Sequence, residues 1–372
     1  MKLFSFELKK LLFSKKFLVM ILLLIAGVIF LFLRNMSLQS YITNEERQSI
    51  EEKLEISYTN SALHKTKLEQ DPNDKQEKKK RDINSTIIDT LYELRQASVT
   101  DDWKNKLTWQ IKLLDNVNAY KNEGGMFPLT AKDINYQHAL KQHLLEKNIP
   151  PEHQSYSIAL PNFMKYATDL FIPIAAIILM MLLTGDILTS EYENNSIRLL
   201  FTQPLKRTHI ITSKFATAFL TYLCICLILV ISTFAIGTFF GEKGTFDYPI
   251  IMEINDSIHF ISIFEYISRS FIVMSVLILF IISLQLLFSI LFKHTILSLF
   301  VSAMTLIAGY GITVFVTWDL SGWVNPFQYL MTKETLVIQH TASWYQSIPI
   351  TLVVSIILFV ITIQHVKRSK VE

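Results

Sequence analysis

Apolar residues fall along this chain in six long runs, separated by polar stretches of very unequal length. The runs cover residues 17–33, 170–188, 215–240, 271–292, 296–316 and 348–363. Crossing ~30 Å of hydrocarbon takes roughly 20 helical residues. A backbone in lipid must also satisfy its own polar groups, so each run predicts a spanning α-helix. The first and last runs are short, and Lys15, Lys16 and Lys367 extend their reach by snorkelling. Only Lys293-His294-Thr295 joins the fourth and fifth runs, which must therefore form an antiparallel pair. Ahead of the first run, Phe4, Leu8, Leu11 and Leu12 share one helical face among Lys2, Lys9 and Lys10, the pattern of a helix lying in the headgroup plane. After Leu33 the chain reads Arg34-Asn35-Met36 and not a small-x-small cleavage site, so the first run predicts a retained helix and not a signal peptide.

Residues 35–165 carry a different pattern. Leu38, Ile42, Ile50, Leu54, Tyr58 and Leu68 recur at helical spacing up to the turn signal Asp71-Pro72-Asn73-Asp74. Further helices are predicted over about 75–97, from Thr100 or Asp101 to just before Gly124-Gly125, and over about 130–147 ahead of Pro150-Pro151. This segment holds 18 Lys and Arg against 19 Asp and Glu and no membrane-length apolar run. It predicts a water-facing helical insert between the first two spans, in the form of an extended antiparallel hairpin with a small cap. The basic run from Lys78 to Arg81 fits a solvated helix face. His138, His143 and His153 lack the spacing of a metal site and are expected at the surface.

Composition agrees with the membrane class: 51% of the 372 residues are hydrophobic and the mean hydropathy is +0.33. The net charge of +3 matters less than its distribution. With the amino terminus inside, the cytoplasmic parts hold 13 Lys and Arg, whereas the short outer loops and their borders hold four: Arg34, Lys243, Arg269 and Lys333. Positive charge accumulates on the cytoplasmic side. Both termini are therefore expected inside and residues 35–165 outside. Cys224 and Cys226 stand two apart in one apolar run, point to different helix faces, and are expected to stay unbridged.

The most charged interruption among the later runs spans residues 185–214. Ser190 followed by Glu193 fits a capping box, and Glu191 suits the positive end of a helix dipole. A short cytoplasmic helix is expected over residues 190–201, ended by Pro204. Ile197, Leu200 and Phe201 form its apolar face. Asp169 and Asp186 bracket the second run, and Gln285 is the clearest polar residue inside a span. Ala303, Ala308 and Gly311 allow close helix approach in the fifth run. Trp318, Trp323, Tyr329, Trp344 and Tyr345 suit an outer aromatic belt. There is no G-x-x-x-x-G-K-[ST], H-E-x-x-H, C-x-x-C or G-x-S-x-G, so the residues for ATP binding in a P-loop, zinc proteolysis or serine hydrolysis are missing.

This arrangement resembles the permease subunits of type-2 ABC exporters. The matching residues are Glu191, Asn195, Leu199, Leu200, Thr202, Pro204, Arg207 and Lys214, with Asn195 standing where the family usually has glycine. A second likeness is Asn325-Pro326-Phe327-Gln328-Tyr329-Leu330. The resemblance implies an all-α integral membrane protein of six transmembrane helices with a large helical extracytoplasmic insert between helices 1 and 2. Its parts are residues 1–34 (interfacial helix and first span), 35–165 (insert) and 166–372 (spans 2–6). It implies docking of Ser190, Glu191, Tyr192, Glu193, Asn194, Ile197, Arg198, Leu200 and Phe201 into a separate cytoplasmic ATPase. As polar residues at or inside spans, Asp186 and Gln285 are candidates for a translocation path, the alternatives being an interfacial place for Asp186 and helix packing for Gln285. The chain itself is then expected to hold no catalytic residue, cofactor or metal, ATP and Mg being bound by the ATPase. Its other partners are a second permease copy or a homologous permease and the lipid of a bacterial plasma membrane; no nucleic acid is expected. The cargo class implied is an amphipathic peptide, lipid or hydrophobic drug. The alternative is a non-transporting membrane regulator or sensor that signals through the insert.

Overall fold

The computed structural model describes residues 2–100, 102–153, 155–194, 196–197, 206–255, 257–315, 325–339 and 343–368. The chain opens with α1 (Lys2–Leu12), which turns Glu7 and Leu11 inward and leaves Phe6 exposed. Ser14 then caps α2 (Lys15–Ser37), its hydroxyl accepting from the Phe17 amide at 3.1 Å. Only Leu38 separates α2 from α3 (Gln39–Gln70).

The insert helices follow the apolar periodicity and start at caps. Asp74 accepts from the amides of Gln76 and Glu77 at the head of α4 (Lys75–Ala97). Asp102 does the same for Lys104 and Asn105 ahead of α5 (Trp103–Asn122). Thr130 and Asp133 close a capping box on α6 (Ala131–Lys147), which ends on Asn148 in the left-handed region (φ 55°). Ile87 and Leu91 of α4, Val117 and Tyr120 of α5, and Ile50 and Leu54 of α3 form a core separate from that of the spans. Inside it, buried His64 joins Glu77 (Nδ1 to Oε1, 2.6 Å) to the Tyr120 hydroxyl (Nε2 to O, 2.7 Å). Near the other end, burial pushes the Lys141 ammonium down to about 8, and Lys53 and Lys106 beside it add repulsion.

That lysine sets a pH dependence. Its folded value lies below the ordinary 10.5, so between the two values the unfolded chain holds more protons. Lys53 is lowered too, again chiefly by burial. Tyr120, raised above 10 by burial, reverses the trend at higher pH. The urea midpoint of a 35–165 fragment, followed by circular dichroism, is expected to rise from about pH 8 to 10. A flat or falling midpoint there contradicts this.

Among the described residues, six helices are long and apolar enough to cross a membrane: Lys15–Ser37, Leu160–Glu193, Arg207–Phe240, Ile263–Phe292, Thr295–Phe315 and Ile348–Arg368. The second starts earlier than its apolar run, so residues 160–165, expected in the insert, are helical with the span. It comprises α7 (Leu160–Leu170), a wider turn at Phe171–Ala175, α8 (Ala176–Thr184) and α9 (Thr189–Glu193). The turn falls where Ile172 leaves helical geometry ahead of Pro173, which lacks an amide hydrogen. The third span is α10 (Arg207–Phe240).

After α10 the chain forms a hairpin absent from the sequence expectation. β1 (Pro249–Ile254) pairs antiparallel with β2 (Ser257–Ser262), in the register Ile251 to Phe260. The turn uses Asn255 at positive φ, which asparagine tolerates. The remaining spans are α11 (Ile263–Phe292), α12 (Thr295–Phe315) and α14 (Ile348–Arg368). Between α12 and α14 lie a 3-10 turn at Pro326–Met331, α13 (Thr332–Val337) and β3 (Ile338–Gln339), which adds parallel to β1. α11 is the central helix: most of its apolar stretch is buried, whereas most of that of α12 and α14 is exposed. The last two therefore leave their apolar faces to lipid or another chain.

The Asn325-Pro326-Phe327 motif shapes this late segment. Asn325 accepts from the Phe327 amide at 2.9 Å and donates to Thr313 Oγ1 at 2.9 Å. The Phe327 ring fills the space beside Gly309, where a Cβ would stand 2.2 Å from Phe327 Cδ1. Trp344 lies over Arg269 (5.2 Å from guanidinium to ring), whereas Trp318 and Trp323 fall outside the described residues.

Candidate coupling site

The candidate loop leaves the second span through α9. Its first-turn amides already have backbone acceptors: Ser190 donates to the Asp186 carbonyl at 3.1 Å and Glu191 to that of Leu188 at 3.2 Å. The expected Ser190–Glu193 capping box is therefore not formed. The helix enters from a preceding turn, begins at Thr189, and receives no side-chain cap. Glu193 caps a different helix. Its Oε1 accepts from the Thr295 amide at 2.7 Å at the start of α12, 3.8 Å from His294 Nδ1. Beside it the hydroxyls of Thr189 and Thr295 meet at 2.6 Å.

Glu191 turns inward. Its Oε1 lies 2.6 Å from Lys214 Nζ on α10, and the same ammonium reaches Glu7 Oε1 of α1 at 3.2 Å and the Ile187 carbonyl at 2.8 Å. Lys214 is fully buried, and Glu191 and Glu7 are 5% and 6% exposed. Glu191 Oε2 is buried without a hydrogen-bond partner among the described residues. Two carboxylates thus share one ammonium inside protein, where charges are tolerated only when paired. Three stretches of chain meet at that point: the amino-terminal helix, the loop entrance and the third span.

Of the other residues read from the sequence, Tyr192 is half-buried with Lys293 Nζ 5.9 Å from its ring centre. Asn194 is exposed and Ile197 buried. Arg198, Leu200 and Phe201 lie outside the described residues, as does Asn195. Asp186 pairs with Lys16 at 2.9 Å at the surface, an exposed contact of little energetic weight. Gln285 is 1% exposed and packs between α11 and α12 of the same chain, donating to Ser298 Oγ at 2.8 Å. Its Oε1 is buried without a hydrogen-bond partner among the described residues. Glu7 was missed by sequence reasoning. The available signal was one acid on the inward face of a lysine-rich amphipathic helix.

The family model for ABC-2 family transporter protein matches residues 1–361. The chain belongs to the ABC-2 transporter family. The match runs through the insert as well as the spans. No curated protein and no solved structure matches the chain. As an ABC-2 family member with six candidate spans, it is a multi-pass membrane protein and a permease component of an ABC transporter. Permeases of this family typically work with ATPase partners. Within that setting, α9 stands out because Glu191 and Glu193 tie it to α1, α10 and α12 at once.

Proposed function

We propose that the chain is the membrane subunit of a bacterial ATP-driven exporter, forming a translocation path with a second permease copy or homologue and coupling it to a separate cytoplasmic ATPase. The observation that carries this reading is the tie of the 185–214 loop to three helices through Glu191 and Glu193. A push on such a loop is passed to α1, α10 and α12 instead of being lost in a flexible connection. Ser190, Tyr192, Asn194, Ile197, Arg198, Leu200 and Phe201 meet the ATPase, while Glu191 and Glu193 hold the loop from behind. ATP and Mg are bound by the partner. The cargo is amphipathic: a peptide, a lipid or a hydrophobic drug. Both termini are cytoplasmic and the insert is outside.

Co-expression with candidate ABC ATPases tests this reading. Leu200→Asp is expected to abolish co-purification of the ATPase and cargo-stimulated hydrolysis while the permease still reaches the membrane. Full assembly and transport by that variant would remove the loop from the coupling role. Assembly with stimulated hydrolysis but no cargo movement in vesicles would favour a regulator that signals through the insert. For orientation, single cysteines at Asn73 and Asn195, in a background lacking Cys224 and Cys226, are expected to give labelling at 73 and protection at 195 with an impermeant reagent on intact cells. The opposite pattern inverts the topology.

A further inference from the structure

Three lysines from distant parts of the chain line one cavity of about 460 Å3, within the size range of small-molecule sites. Lys132 comes from α6, Lys165 from α7 and Lys333 from α13. The apolar part of the wall includes Leu140, Ile251 and Val337, with the rings of Tyr136 and Tyr266. Two of the lysines have acid partners: Lys132 with Glu253 at 2.9 Å and Lys165 with Asp169 at 3.0 Å. Lys333 is exposed and has no acid partner among the described residues. Glu334 is next in the chain but does not line the cavity. Among the lining residues three lysines thus face one carboxylate, Glu253, while Asp169 and Glu334 act on Tyr266 from outside the lining, so the wall itself keeps an excess of positive charge.

Position narrows the occupant. Lys165 lies near the start of the second span and Tyr266 near the start of the fourth, so the cavity abuts the edge of the hydrocarbon layer. A neighbouring cavity of about 670 Å3 sets Lys147 and Lys243 against Glu152 and Asp247, a balance that selects no charge sign. Basic pockets at the ends of spanning helices suit lipid head groups. A phosphate also offers oxygens to several ammonium groups at once, which a carboxylate does less well.

We propose that this cavity binds an amphiphile with a net anionic phosphate headgroup, with Lys333 and its two neighbours around the phosphate and Leu140, Ile251 and Val337 against the first carbons of the chain. Binding here does not require transport, so it stands or falls separately from the exporter reading.

The test uses the full-length protein in neutral detergent and native mass spectrometry with lysophosphatidylglycerol, lysophosphatidylcholine and inorganic phosphate as probes. Lysophosphatidylglycerol is expected to bind at least about tenfold more tightly than the zwitterionic lipid, a difference expected from one uncompensated charge contact. Lys333→Glu is expected to remove that preference, and Lys243→Glu, in the neighbouring cavity, to leave it intact. Should Lys333→Glu aggregate, Lys333→Gln carries the comparison, since this exposed side chain makes no ion pair to lose. Equal binding of the two lipids, or an unchanged preference in the Lys333 variant, overturns the proposal. Inorganic phosphate binding as tightly as lysophosphatidylglycerol overturns the amphiphile in favour of a plain anion site.

Discussion

Lys214→Met is expected to be among the most damaging single substitutions in the spanning region, costing roughly 3–5 kcal/mol because it strands buried charge. The ammonium it removes contacts Glu191 at 2.6 Å, Glu7 at 3.2 Å and the Ile187 carbonyl at 2.8 Å, with no water-facing surface. Both carboxylates would be left buried together, where like charges repel. The measurement is the thermal midpoint of detergent-solubilised full-length protein, followed by gel-filtration fluorescence. Neutralising the pocket should reverse much of the loss, so Lys214→Met combined with Glu7→Gln and Glu191→Gln is expected to recover most of the native midpoint. A single variant as stable as the native chain would show that the three groups do not depend on one another. Glu191→Lys is expected to destabilise in the same way, by setting a second ammonium beside Lys214. It therefore cannot serve as a clean test of ATPase docking.

His64→Leu should be the corresponding break in the insert. His64 satisfies two buried groups, Glu77 and the Tyr120 hydroxyl, which are 4% and 1% exposed. Each group stranded by the loss of a buried partner costs about 1–3 kcal/mol. Lys67 at 3.4 Å and Lys80 at 3.5 Å still serve Glu77, so the tyrosine hydroxyl loses more. Adding Tyr120→Phe removes that orphan and should recover part of the loss. Amide exchange in the full chain is the readout: protection should fall across α4 and α5 and hold in α11. Acid should act on the same place. Burial opposes the charge of Glu77, but its hydrogen bond to His64 and the nearby lysines outweigh it and hold the carboxyl below the usual range. Its stabilising contribution is present above the ordinary carboxylate value and is lost as pH falls through the lowered one.

The spans were legible because a membrane helix is announced by a long apolar run, a signal that needs no knowledge of neighbours. Helix α4 was legible for another local reason: Asp71-Pro72-Asn73-Asp74 marks both a turn and a cap. The Ser190–Glu193 box misled because the pattern S-x-x-E does not say whether a preceding turn already supplies acceptors, and here the Asp186 and Leu188 carbonyls do. The β1–β2 hairpin was missed although alternation in Ile250, Met252, Ile254, Ile258 and Phe260 flanks a turn-forming Asn255. Between two membrane runs, a dozen residues of that kind look like an apolar loop. The pairing of Glu7 with Lys214 joins residues 207 apart in sequence. No local pattern encodes such a contact; it exists only once α1 folds back on α10.

The near-continuity of α2 with α3 also sets a length scale. With only Leu38 between them, the 32 residues of α3 leave the membrane boundary directly. At 1.5 Å per residue they extend as far as roughly 48 Å, more than the hydrocarbon thickness itself. Packed against α4, this is a braced arm with its elbow at Asp71–Asp74. A small protein buried in a micelle offers few features by which single particles can be oriented in an electron microscope. Here the chain carries its own fiducial, and an antibody fragment raised against the elbow would enlarge it without touching the spans or the loop at Glu191.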